Sequence, residues 1–288
     1  MRRLVAVAMF AVACGSITVQ AHTISLSFKA GDTYKYAFHS TYKQTIATSG
    51  LSVPADIDTK ADEVVSVKSV DSSGTANLTV TLNNFKLTTT TGGVTNTTTG
   101  LPMDSIDMQV ASDGRLISLG SNQIAASNPF ASFIGLSGGF LISAVLPSGA
   151  VQPGSTWTKT YDQANPNGSG GLHFTSTSTY LRDESFKGVN AAVVETKSNG
   201  TIDMTLDRSK TASGESSSAG IQGLSIKGTI TSDVTTWIDP NGHRVMKTHA
   251  AVTNDGTMDL QAAPSQAIPG LTGPIGIKGN ATTDLTPA

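Results

Sequence analysis

The chain has 288 residues, with 19 Lys and Arg against 21 Asp and Glu, and a single cysteine. A formal charge of −2 leaves no basic surface for nucleic acid, and one cysteine excludes a fold stapled by internal disulfides. Only 14% of residues are charged while Thr, Ser and 29 Gly abound, which is the composition of many turns and half-exposed strands.

Residues 1–21 read as an export signal. Arg2 and Arg3 precede an apolar run over 4–13, and Val19-Gln20-Ala21 supplies a small-residue cleavage site. The run is too short to span a bilayer. Cleavage after Ala21 leaves a mature chain beginning at His22, with 17 Lys and Arg against 21 Asp and Glu and hence a charge of −4. Cys14 carries two readings. It is either a small apolar residue of the signal, or the acylated cysteine of a bacterial lipoprotein box, Ala11-Val12-Ala13-Cys14-Gly15-Ser16, that would anchor the protein to lipid. The expected location is the periplasm or the extracellular space.

The mature chain opens on Gly31-Asp32-Thr33-Tyr34-Lys35-Tyr36, a glycine turn running into an aromatic strand. Val65 and Val67 mark a further strand. After the turn Asp71-Ser72-Ser73-Gly74, the alternating Ala76, Leu78, Val80 and Leu82 mark the next, because period two buries one face of a strand. Residues 88–100, almost all Thr, Gly and Asn, are expected to be a surface connection.

Between 129 and 146 there is no charge, and Phe130, Phe133, Ile134, Leu136, Phe140, Leu141, Ile142, Val145 and Leu146 crowd together. Gly135, Gly138 and Gly139 weaken any continuous span, so 121–150 is predicted to be a connector of one or two short helices, capped at Asn128-Pro129 and packed on the sheet.

The opening motif then returns. Gly154-Ser155-Thr156-Trp157-Thr158-Lys159 stands 123 positions after the first copy, and Ile238-Asp239-Pro240-Asn241-Gly242-His243 stands 128 positions after Val110-Ala111-Ser112-Asp113-Gly114-Arg115. Two echoes in the same order point to a duplicated β unit, with repeats over 22–120 and 151–288 and with Tyr34 and Trp157 in matching buried positions. In the second repeat, 209–220 reads as a mobile loop. Leu224, Ile226, Ile230, Val234 and Ile238 alternate along one long strand, which turns at Asn241-Gly242 and returns from Arg244 to Val252. Residues 262–273 form a Pro-Gly connection, and Ile275, Ile277, Ala281 and Leu285 a last strand with a bulge at Gly279. The predicted fold is therefore all-β and mainly antiparallel: a duplicated curved sheet or half-barrel covered by a short helical apolar connector.

No constellation here carries strong chemistry. Gly135-Leu136-Ser137-Gly138-Gly139 matches the nucleophile-elbow pattern but lacks the strand-turn-helix setting, and a chance match is the ordinary reading. His22, as a new amino terminus, could chelate copper only with a partner among His39, His173, His243 or His249, none of which stands in ligand spacing. His243 and His249 read as surface histidines on one strand face. Asp56, Asp58, Asp62 and Glu63 read as a solvated acidic loop with at most weak calcium affinity. Tyr34, Tyr36, Trp157 and Trp237 would line a groove or the buried face of a sheet. No cofactor, metal ligand or catalytic residue is assigned.

The pieces Gly31-Asp32-Thr33-Tyr34, Leu146-Pro147 and Gly154-Ser155-Thr156-Trp157 resemble a group of uncharacterised bacterial exported proteins, many of them lipoproteins. That resemblance implies an architecture similar to the half-barrel of periplasmic lipoprotein carriers, in which helices cover an apolar concave face. It brings no catalytic residues. The expected function is that of a non-enzymatic cell-envelope protein binding an apolar small molecule or an envelope partner, with Phe130, Phe133, Leu136, Phe140 and Leu141 as ligand contacts. The alternatives are a structural or interaction module with a filled core and, at low weight, an exported hydrolase or copper protein.

Overall fold

The computed structural model describes residues 21–48, 50–100, 105–119, 144–164, 168–207, 221–262 and 273–288. Within them every regular element is a strand. These are β1 (His22–Thr23), β2 (Thr33–Thr48), β3 (Leu51–Val70), β4 (Ala76–Thr91), β5 (Val94–Thr99), β6 (Ile106–Val110) and β7 (Leu116–Leu119) in the first half. In the second half come β8 (Ala150–Val151), β9 (Thr156–Ala164), β10 (Gly168–Phe186), β11 (Val189–Asp207), β12 (Ile221–Asp239), β13 (Arg244–Ala262) and β14 (Ile275–Pro287).

Twelve strands form one antiparallel sheet in the order β7-β6-β4-β3-β2-β14-β13-β12-β11-β10-β9, with β5 paired to β4. Within this sheet sequential strands pair antiparallel, except that β6 pairs with β4 rather than β5 and that no ladder among the described residues joins β7 to β9; β14 lies between β13 and β2 and so joins the second half of the sheet to the first. The sheet curls into a nearly closed barrel. Its free edges, β7 and β9, approach each other without a ladder between them among the described residues. The core lies on the concave side, where residues from strands far apart in the order, such as Val65, Leu78, Ile202 and Ile226, belong to one apolar cluster. The alternation seen in sequence supplies this face: Tyr36, Phe38 and Tyr42 of β2, and Ile275, Ile277, Ala281 and Leu285 of β14, point inward, while the intervening residues are more exposed.

The two echoed motifs have the same local hydrogen bonding. Gly31 and Gly154 both sit at positive φ, +93° and +91°, which favours glycine there. The Asp32 amide donates to the Lys29 carbonyl as the Ser155 amide does to Gln152, and Gly31 and Asp32 exchange bonds with Val67 as Gly154 and Ser155 do with Tyr180. Tyr34 and Trp157 both face inward and are half-buried, opposite Val65 and Ser178 respectively. The second echo falls on the turns β6–β7 and β12–β13.

Several sequence expectations are corrected. No helix occurs among the described residues, so a helical connector finds no support, and the described end of the connector is irregular over 144–149 before β8. Residues 88–100 are not a loop but a hairpin turning at Gly92-Gly93, both at positive φ. Its β-branched threonines suit the pleat, and hydroxyls pair across it, Thr88 with Thr97 and Thr90 with Thr95. Gly279 makes no bulge: its ladder to β13 and β2 is regular, and a side chain there would meet the Tyr42 ring at 2.7 Å. The acidic run is not a loop either, since Asp56, Asp58, Asp62 and Glu63 all lie on β3.

Candidate functional site

The concave face of the β9–β12 half carries an inward row of small hydroxyls, Ser176, Ser178, Thr196, Ser198 and Thr236, all buried. Buried hydroxyls need partners, and here the partner is the end of the connector. The Val145 amide donates to Thr196 Oγ1 at 3.2 Å, and Ser178 Oγ donates to the Val145 carbonyl at 2.8 Å. Thr196 and Ser178 are themselves 2.8 Å apart. With Val145 N–H already given to Thr196, the Thr196 hydroxyl must donate to Ser178 to free the Ser178 proton for the carbonyl, so the hydrogens run in one direction round a closed ring. The Trp157 indole N–H adds a second donor to the Val145 carbonyl at 2.8 Å, and the Ala144 amide donates to Thr236 Oγ1 at 3.0 Å.

A second extended piece lies beside it. Ile24 and Leu26 pack with Ala144, Leu146, Tyr180, Ala192, Val194 and Ile238, and β1 pairs with β8. This small apolar plug is tied to the turns of both halves, because the Leu26 amide donates to the Ser112 carbonyl and the Ser27 amide to the His243 carbonyl. The Leu146 amide donates to the carbonyl of Asp113 at 2.8 Å. Asp113 also latches the seam. Its carboxylate accepts from Lys159 Nζ of β9 at 2.8 Å and from Arg115 Nε at 2.8 Å, and the Arg115 guanidinium stands 5.7 Å from the centre of the Tyr161 ring. Burial by itself would raise the Asp113 carboxyl; the hydrogen bonds and charges of Lys159 and Arg115 together outweigh it and hold the group below the usual carboxylate range.

On the other half of the barrel, among the described residues, the inward face carries a buried acid, Glu63. Glu63 is 0% exposed and lies between Tyr36 of β2 and Leu82 of β4, on the face formed by Ala61, Val65 and Val67. Neither carboxyl oxygen has a hydrogen-bond partner among the described residues. Tyr36 does not supply one, because its hydroxyl donates to the Val245 carbonyl at 2.9 Å. Burial is the cause that pushes the Glu63 carboxyl up to about 8, so at neutral pH it is mainly the protonated acid. Farther along the same concave face Tyr42 donates to Asn254 Oδ1 at 3.0 Å, while among the described residues the buried Asn254 Nδ2 and Thr248 Oγ1 have no partner.

The residues singled out from sequence fall as follows. Phe130, Phe133, Leu136, Phe140 and Leu141 lie outside the described residues, as do Ser137 and Cys14. His22 is in β1, its imidazole 3.9 Å from the Asp183 carboxylate. His243 is not on a strand but in the β12–β13 turn at a φ of +49°, with Nδ1 3.3 Å from Ser25 Oγ. His39, His173 and His249 are each beside an aspartate on the convex face, Asp58, Asp162 and Asp284. Among the described residues no three His, Cys, Asp or Glu stand together as metal ligands. Of the four aromatics, Tyr34, Tyr36 and Trp157 face the interior; Trp237 is on the other face, donating to Glu184 under the Lys247 ammonium. Asp56, Asp58 and Asp62 face outward, away from Glu63. The signal that isolates Glu63 is its phase: it falls in step with Ile57, Ala61, Val65 and Val67, the apolar side of the alternation.

No family model matches this sequence, and no curated protein does. Among solved structures, lipovitellin, in a structure titled for its lipid-protein interactions, matches at 11% identity with a TM-score of 0.39, covering 91% of this chain and 26% of its own. The present chain thus spans about a quarter of that relative. DynF from the dynemicin biosynthesis pathway of Micromonospora chersina matches at 9% identity with a TM-score of 0.24, over 94% of this chain and 86% of its own. Both likenesses are too loose to bear on function. No helix among the described residues is long and apolar enough to cross a membrane.

Proposed function

We propose that this chain is an exported, non-enzymatic envelope protein, built of two β repeats, that holds an elongated apolar ligand inside its barrel beneath the 121–150 connector. One observation carries this reading: the end of the connector enters the concave side and is pinned there, at Val145, by the Thr196–Ser178 hydroxyl ring and Trp157. Ala144, Val145 and Leu146, the described end of a segment rich in large apolar residues, thereby lie on the concave side. A barrel lining with a few convergent polar groups is the usual form of an apolar-ligand site. Phe130, Phe133, Leu136, Phe140 and Leu141 of the connector are the proposed ligand contacts.

The test is titration of the mature protein with an apolar fluorescent dye and with acyl chains. Saturable binding is expected, weakened when Phe133 and Phe140 are both changed to Ser. A flat titration across dyes and lipids would make the protein a structural or partner-binding module with a filled core.

A further inference from the structure

We infer that Glu63 is the polar anchor of the barrel's ligand site and that it selects an apolar molecule ending in a protonated amine. This rests on the ligand-binding reading above and specifies the ligand's chemistry. Three observations carry it. Glu63 is wholly buried on the concave face, in step with the apolar Ala61, Val65 and Val67 of its strand. Among the described residues neither carboxyl oxygen has a hydrogen-bond partner, and the hydroxyl of Tyr36, its register partner on β2, is already given to the Val245 carbonyl. Among the described residues, Asp113, Lys159 and Arg115 are satisfied by one another at the seam, Asp239 accepts from the amides of Asn241 and Gly242 and stands 3.7 Å from Arg244, and Tyr34 donates to Asp32.

A buried carboxyl left in this condition costs stability, so its retention is best explained by a partner that arrives from outside the chain. That partner must bring donors. An ammonium group brings a full positive charge and three N–H donors, enough for both oxygens of the ionised carboxylate, whereas a hydroxyl head brings one donor and no charge, and a carboxylate head brings only acceptors and cannot stabilise the ionised form. Tyr36 is a titratable group beside Glu63, with Tyr34 and Arg244 near it in turn; burial, with the Glu63 charge next, drives the Tyr36 phenol upward, so it stays neutral and does not compete for the role. Near neutral pH the acid is mainly protonated before binding. When an ammonium enters, the carboxyl proton leaves to solvent and the carboxylate pairs with the cation; the balance is up to one proton released per ligand bound.

Calorimetric titration of the mature protein and of Glu63→Gln with dodecylamine, dodecanol and dodecanoate, each below its self-association concentration, tests this. The Gln variant should fold, being isosteric and free of the ionisation penalty. Expected is an amine affinity roughly tenfold or more above that of the alcohol in the wild type, a heat that depends on the buffer's ionisation enthalpy, and loss of both in Glu63→Gln with alcohol binding unchanged. Should the alcohol bind but the amine bind no better, or should Glu63→Gln keep the amine preference, the assignment of Glu63 is overturned while ligand binding stands. Failure of the dye and all three probes to bind the wild type would overturn the ligand-binding reading and this assignment together.

Discussion

Replacing Glu63 by Gln should change how stability depends on pH more than it changes stability at any one pH. An acid whose folded value is raised from 4.5 to about 8 binds more protons in the folded than in the unfolded chain throughout that window. Its contribution is therefore fully present below about 4.5, where both states are protonated, and falls as pH rises toward 8; above that the penalty is constant. Each pH unit inside the window costs about 1.4 kcal/mol, so from about pH 5 to about pH 8 the wild type should lose roughly 4 kcal/mol that Glu63→Gln does not lose. Comparing the two proteins at both pH values cancels the unfavourable burial of the Gln amide, which is independent of pH. Urea unfolding followed by tryptophan fluorescence gives the four free energies. Parallel pH profiles for the two proteins would refute the argument, and would mean that Glu63 finds water or a hydrogen-bond partner in solution.

Other perturbations should act on the connector's tether, the seam and the interior. Thr196→Val keeps the shape but leaves the Val145 amide buried without an acceptor, at about 1–3 kcal/mol, and should speed hydrogen exchange at Val145; unchanged protection there would show that the ring does not hold the connector. Asp113→Asn weakens the contacts to Lys159 and Arg115 and should raise exchange along the edge strands β7 and β9 while the β12–β13 ladder stays protected. The wild-type Asp113 contribution is present above the ordinary carboxylate range and lost as pH falls, so this variant should also be the less acid-sensitive of the two in unfolding titrations. Gly279→Ala places a methyl 2.7 Å from the Tyr42 ring and 2.8 Å from the Lys43 carbonyl oxygen, so its urea midpoint should drop by the equivalent of about 1–3 kcal/mol.

Much of the architecture was legible in the order of residue types. Alternation is a local property of strands, so the period-two runs at 76–82, 224–238 and 275–285 located β4, β12 and β14, and Asn241-Gly242 located the hairpin between β12 and β13. The threonine tract at 88–100 misled because threonine is both a polar loop residue and a good strand former, and the Gly92-Gly93 turn decides between them only once a partner strand is in reach. Gly279 misled in a similar way: a glycine within a strand marks either a bulge or a close approach, and only the Tyr42 ring from the neighbouring strand distinguishes them.

The functional residues divide along the same line. The sequence by itself determined that Glu63 stands in phase with apolar residues, although the acidic run around it read as a solvated loop, and that Val145 lies near the end of an apolar segment, because both facts depend on neighbours in the chain. Only the tertiary structure decided that Glu63 lacks a partner among the described residues and that Val145 is bound by hydroxyls from β10 and β11, because those facts depend on contacts between positions tens of residues apart. The same holds for the seam, where Asp113 meets Lys159 across the two edges of the sheet. Hydrogen bonds and desolvation are set by what surrounds an atom in space, and in a curled sheet those surroundings are supplied by strand order and closure, which local alternation does not encode.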